Sequence, residues 1–259
     1  MERREFVTSA MAMAGVALSG AAGQAIAQSA PEFYQLRKYA LQTGPQLALI
    51  QDYFEHALIP ALNRLAMAPV GAFKLDIGPE TPIDYLLIPA SSAEALVTLD
   101  TRLTEDAELV KASAAFWGAP AAAPAFVRVE SWLLSAFAGW PKIVAPKAGK
   151  RMFQLRTYES ASYAAHVRKV QMFNEAEIAI FTRTGLTPVF FADTLIGSRM
   201  PSLTYMLTFA DVAELNARWA GFVNDAAWKE LSHRPVYADT EIVSNISNLY
   251  LSPLGCSQI

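Results

Sequence analysis

The chain has 259 residues, 53% of them hydrophobic, with a net charge of −3 and a pI near 5.7. That content is too apolar and too weakly charged for a disordered chain, so a packed core is expected. With no basic footprint for phosphate backbones, nucleic acid is not an expected partner.

Residues 1–27 read as an export signal: a charged start with Arg3-Arg4, an apolar stretch from Ala10 to Ala22, and the small-residue tripeptide Ala25-Ile26-Ala27. The arginine pair with Phe6 close behind resembles the twin-arginine type, although Glu2 stands where Ser or Thr is usual. Cleavage after Ala27 predicts a mature chain of 232 residues beginning near Gln28, periplasmic or secreted. No later segment has the ~18 uninterrupted apolar residues of a spanning helix, so no stable membrane insertion is expected after cleavage. A chain whose one cysteine is Cys256 forms no intramolecular disulfide.

Alternation over Phe33–Tyr39 predicts a strand. Thr43-Gly44-Pro45 opens a helix whose apolar positions Leu47, Ile50, Phe54, Leu58 and Ala61 recur at three- and four-residue steps and which ends before Pro69. Strands near 70–77 and 83–88 flank the turn Gly78-Pro79-Glu80-Thr81-Pro82 and make a hairpin. Ser91 or Ser92 caps a second helix through Leu103, restarted around Asp106 to Phe116, and a strand follows over 126–134.

The order then recurs. Phe153-Gln154-Leu155-Arg156-Thr157-Tyr158 repeats Tyr34-Gln35-Leu36-Arg37-Lys38-Tyr39 at a spacing of 119 residues. A helix from Ser162 to Phe181 is stopped by Gly185, a hairpin spans 189–194 and 203–209, Asp211 caps a helix, and a last strand lies over 243–251. Tyr85 and Tyr205, 120 residues apart, are taken as equivalent. Two βαββαβ units, over 32–140 and 151–259, therefore predict an α+β fold: ferredoxin-like repeats packed sheet to sheet as a dimeric α/β barrel-like pseudo-dimer. The linker is expected over 142–150.

These residues resemble the NIPSNAP family. The opening strands carry the likeness, together with Glu55-His56, Pro60 and Arg64 on the first helix, Asp225 to Trp228, and the closing Asn248-Leu249-Tyr250-Leu251-Ser252-Pro253. The resemblance implies tandem ferredoxin-like domains but no agreed activity, and the best-known relatives are mitochondrial, unlike an exported chain. Related barrels include cofactor-independent monooxygenases, haem-binding enzymes and isomerases, an analogy of fold alone.

Strand alternation assigns Leu36 and Leu155 to the helix-packed core. It sends Gln35, Arg37, Tyr39, Gln154, Arg156 and Tyr158 to a cavity between the sheets or to the barrel seam. Arg37, Tyr39, Arg156 and Tyr158 are therefore the candidate ligand-binding residues, the guanidinium groups for a carboxylate or enolate. The competing account has both arginines in structural ion pairs, with Asp76 and Asp193 as partners. His56 is the candidate catalytic base, or a surface residue paired with Asp52 on the next turn; Pro60 is expected to kink its helix.

No cofactor and no metal site is called for: His166 and His233 lack ligand spacing, no Cys/His cluster supports a metal or haem ligand at His56, and neither a phosphate loop nor a serine elbow occurs. The five tryptophans read as core before cofactor box. The leading expectation is a protein binding a small apolar or carboxylate-bearing molecule. The alternatives are a cofactor-independent monooxygenase or isomerase of a small aromatic or keto compound, or an assembly protein with a filled barrel. The expected partner is a small-molecule ligand; homo-oligomerisation stays open.

Overall fold

A computed structural model describes residues 30–259. The expected export signal over residues 1–27 lies outside the described residues.

The first half runs β1 (Phe33–Ala40), α1 (Pro45–Tyr53), a π-helical turn (Phe54–Leu58), α2 (Ile59–Arg64), β2 (Gly71–Ile77) and β3 (Ile83–Ala90). Four short helices, α3 (Ala93–Val97), α4 (Leu99–Thr104), α5 (Ala107–Ala112) and α6 (Ala114–Trp117), lead to β4 (Arg128–Ala136). The second half runs β5 (Met152–Glu159), α7 (Tyr163–Met172), a π-helical turn (Phe173–Glu177), α8 (Ile178–Arg183), β6 (Thr187–Ile196) and β7 (Ser202–Phe209). It closes with α9 (Val212–Asn224), α10 (Ala226–Ser232), a 3₁₀ turn (Pro235–Tyr237), α11 (Asp239–Ile242) and β8 (Asn245–Pro253).

The eight strands close one antiparallel barrel in the order β1-β3-β2-β8-β5-β7-β6-β4. Each half contributes four adjacent strands, and the halves join edge to edge where β2 meets β8 and β4 meets β6. Closure leaves no free sheet edge. The predicted linker runs along this frame, with Ile143 N–H donating to Glu32 and Val144 N–H to the Val189 carbonyl.

Registers in the two halves differ by 119 residues, since Arg37 opposes Leu86 as Arg156 opposes Tyr205. Tyr85 therefore corresponds to Thr204, and the pairing of Tyr85 with Tyr205 at 120 residues is corrected. A one-residue slip sends a side chain to the other face of a strand. Accordingly Tyr85 packs inside the barrel and Tyr205 outside it, under the helices.

Local chemistry repeats at the same offset. Ser92 accepts from Ala95 N–H and Asp211 from Glu214 N–H, each satisfying an orphan donor at its helix start. Asp106 and Asp225 cap α5 and α10 while pairing with Arg64 and Arg183. Gly185, at φ +81°, ends α8 where a side chain would be strained. The π turns coincide too, at 54–58 and 173–177. Pro60 alone cannot be their cause, because Ala179 holds the matching place.

The core is in three parts. One cluster lies between the first-half strands and helices around Phe54, Leu58, Leu62 and Leu86, and a second between the corresponding second-half elements around Phe173, Phe181, Phe191 and Tyr205. The third fills the barrel with Tyr34, Phe73, Phe153, Phe190, Met206 and Leu134.

Candidate functional site

Directly opposed residues of an antiparallel ladder point to the same face. Leu36 opposes Leu87 and Trp132, Lys38 opposes Tyr85 and Glu130, Leu155 opposes Met206 and Leu249, and Thr157 opposes Thr204 and Ser247. All these side chains face the barrel axis, because Leu36, Leu87, Leu155 and Met206 belong to the interior cluster and Lys38, Trp132, Thr157 and Ser247 line its cavity. The sequence-based assignment of faces is thus reversed. Leu36 and Leu155 point inward, whereas Arg37, Tyr39 and Tyr158 lie beneath the helices. A closed barrel under a helical layer buries both faces of each strand, so alternation gives the period and leaves its phase open.

At one end the barrel is packed by aromatic rings, with Tyr34 against Phe190 and Phe73 against Phe153 at centroid separations of 5.4 and 4.8 Å. The other end opens into a cavity of about 320 Å³, at the small end of the ~300–1,000 Å³ typical of ligand pockets. Its floor is apolar, formed by Leu36, Leu75, Tyr85, Leu155 and Leu249, with Trp132 on one wall. Gly197 in the β6–β7 hairpin lies so close that a Cβ there would stand 2.1 Å from the Trp132 ring, and Trp132 Nε1 donates to Ser198 Oγ at 3.2 Å. Hairpin and indole thus fix each other.

The mouth carries charge. Lys38 Nζ lies 2.6 Å from Glu80 and 3.0 Å from Glu130, and Arg128 approaches both carboxylates at 3.7 and 3.6 Å. The Lys38 contact holds the Glu80 carboxyl below its ordinary range. Across the opening, Arg199 reaches Glu159 at 3.9 Å and donates to Ser247.

Arg37 is buried and donates to Asp100 on α4 at 2.7 Å and to Gln35 at 2.9 Å. Asp76 and Asp193 are not its partners: Asp76 pairs with Lys74 and Ser252, and Asp193 pairs with His166 at 2.7 Å. Arg156 makes no salt bridge among the described residues. Its guanidinium stacks 4.5 Å from the Trp219 ring, with Tyr158 and Tyr205 nearby, and Nε has no hydrogen-bond partner among the described residues. Trp219 occupies the second-half place of Asp100, so a cation–π stack replaces an ion pair. Beside it lie Lys169 and Glu177, 3.2 Å apart, both fully buried and unforeseen from the sequence. The π turn shifts the helical phase there: Val167 is 63% exposed, while Lys169 faces inward.

His56 is on the outer surface, its Nδ1 3.1 Å from Asp52, in a shallow groove with Arg64 and Glu108. It shares no wall with the barrel cavity. His166 is buried, with Nδ1 unpartnered among the described residues. No helix among the described residues is long and apolar enough to cross a membrane.

Residues 153–258 match the NIPSNAP family model. No curated protein matches the chain. Among solved structures, a putative monooxygenase of Fusobacterium nucleatum superposes with a TM-score of 0.57 at 8% identity, covering 87% of this chain and 94% of that one. A second, from Lactobacillus acidophilus, gives 0.56 at 10% identity with 86% and 94% covered. An anthrone oxidase-like protein gives 0.51 at 9% identity with 88% and 93% covered. At these identities the likeness is one of fold: the barrel built from ferredoxin-like halves.

Proposed function

We propose that this protein binds a small, largely apolar molecule inside the barrel, as an exported NIPSNAP-type protein built by internal duplication. The observation that carries the reading is the cavity of about 320 Å³, apolar at its floor and polar at its mouth, in a barrel otherwise packed by aromatic side chains. Burying an apolar body on Leu36, Leu75, Leu155 and Leu249 supplies ~25 cal/mol per Å² of apolar surface removed from water. The mouth groups fix orientation. Constant register spacing between the halves supports duplication, and the Arg3-Arg4 leader supports export.

Native mass spectrometry of protein from its own host tests this. A co-purifying small molecule is expected in the wild type and absent from Leu155→Trp, which fills the cavity floor. Equal retention by both proteins contradicts the reading. The N-terminus in the same spectrum, expected near Gln28, tests export.

A second reading is an oxygenase or isomerase of a small aromatic or keto compound. The fold shared with two proteins bearing a monooxygenase name and one anthrone oxidase-like protein supports it. For such chemistry the ionisable groups at the cavity are Lys38, Glu80, Glu130, Tyr85 and Arg199; His56 is remote from it.

A further inference from the structure

The walls of the barrel cavity differ chemically although their backbones correspond. At matched places facing the barrel axis the first half has Lys38, Leu75, Ile83 and Tyr85 where the second half has Thr157, Thr194, Ser202 and Thr204, and all of these but Ile83 line the cavity. Through the ladders β1–β4 and β5–β8, Glu130 and Trp132 correspond in the same way to Ser247 and Leu249. One wall is therefore aromatic and ionic, and the other is a bank of hydroxyl groups.

The hydroxyls are paired with one another. Thr157 Oγ1 lies 3.0 Å from Thr204 Oγ1, and Ser202 Oγ donates to Thr194 Oγ1 at 3.1 Å. Each hydroxyl has one proton and two lone pairs, so a pair sharing one proton keeps a second to donate and lone pairs to accept.

Among the described residues the charges of the ionic wall and the mouth are all paired. Lys38 is held between two carboxylates, Arg199 has Glu159, and the mouth carries Lys38, Arg128 and Arg199 against Glu80, Glu130 and Glu159. An anion entering here would lose water and meet cations already neutralised, which is unfavourable in a partly enclosed site. A neutral molecule avoids that cost and still finds donors and acceptors along one edge.

Resting on the binding reading above, we infer that the barrel takes a neutral, flat molecule with one or a few rings and a hydroxyl or carbonyl edge. Its apolar body packs between Trp132 and the leucine floor. Its polar edge lies on Thr157, Thr194, Ser202 and Thr204. Carboxylates of the same shape are excluded.

Isothermal titration at pH 7 with 2-naphthol and with 2-naphthoate, matched in shape and different in charge, tests the inference. 2-Naphthol is expected to bind at least tenfold tighter. The affinity should fall about tenfold in Thr157→Val/Thr204→Val, which keeps the shape of the wall, and vanish in Leu155→Trp. In Glu80→Gln/Glu130→Gln, Lys38 loses its counter-charges, and naphthoate affinity should rise about tenfold. Tighter binding of naphthoate by the wild type, abolished by Leu155→Trp, leaves the cavity reading standing and overturns the neutral-ligand inference. Binding of neither probe, or binding that Leu155→Trp leaves intact, overturns the cavity reading and this inference with it.

Discussion

Lys169 Nζ lies 3.2 Å from Glu177 Oε2 with both side chains buried, at the places that Ile50 and Leu58 fill in the first half. One fold position is thus solved twice within a single chain, once by an ion pair and once by two aliphatic side chains. The pair spans the π turn and borders the aromatic ring set that receives Arg156, with Lys169 Nζ 5.3 Å from the Tyr158 ring. Burial raises the Glu177 carboxyl above its ordinary range, against the lowering effect of Lys169.

Desolvation of two charges offsets most of their attraction, whereas one charge left alone is costly. Lys169→Ile is expected to destabilise by about 3–5 kcal/mol, and Lys169→Ile/Glu177→Leu, which installs the first-half solution, to be neutral or stabilising by about 1–4 kcal/mol. Urea unfolding at pH 7 checks this. A double variant as unstable as the single one would show that the pair itself holds the second half together.

Asp84 gives a pH signature. It is buried, its Oδ2 has no partner among the described residues, and burial pushes its carboxyl up to about 7, with Lys74 opposing the shift. The folded chain therefore binds a proton that the unfolded chain, with a carboxyl near ~3.9, has released. This makes stability fall as pH rises from about 4 to about 7 and level off above. Asp84→Leu takes the residue of the matching place, Leu203. The variant should gain on the order of 1–4 kcal/mol over wild type at pH 8 and markedly less at pH 4. A gain independent of pH would contradict an ionising Asp84.

Arg37 and Arg156 test whether equivalent arginines have equivalent partners. Asp100 is mostly exposed, so Asp100→Ala is expected to cost under ~1 kcal/mol. Trp219 packs on Phe181 and Phe222, stacks on Arg156 and donates to Gln154. Trp219→Ala should cost about 2–4 kcal/mol. Equal costs in thermal unfolding would remove the asymmetry between the two halves.

His56 is 65% exposed and, among the described residues, pairs with the equally exposed Asp52 alone. His56→Ala is expected to change stability by less than ~0.5 kcal/mol and to leave 2-naphthol affinity unchanged. A tenfold loss of affinity would return this residue to the site.

Much of the architecture was legible because it is local. The caps Ser92 and Asp211, the stop at Gly185 and the repeated Gln-Leu-Arg words each announce an element. Face and phase were not legible. Leu36 and Arg37 both sit on buried faces, so neither marks the barrel axis. Tyr85 and Tyr205 match in a repeat search only through a one-residue slip, because the register sets Tyr85 against Thr204. The π turn hid Lys169, since a wheel drawn at 3.6 residues per turn sends it elsewhere. The hydroxyl bank had a trace in the sequence: Thr157, Thr194, Ser202 and Thr204 are small polar residues in strands whose first-half counterparts are larger.

The most direct measurement is methyl NMR of the protein titrated with 2-naphthol. Binding inside the barrel predicts shifts at Leu36, Leu75, Leu155 and Leu249, with Leu58 and Leu207 under the helices unmoved. Shifts centred on Leu109 beside the His56 groove, or on Leu207 and Leu215 near Arg156, would contradict a ligand held in the barrel.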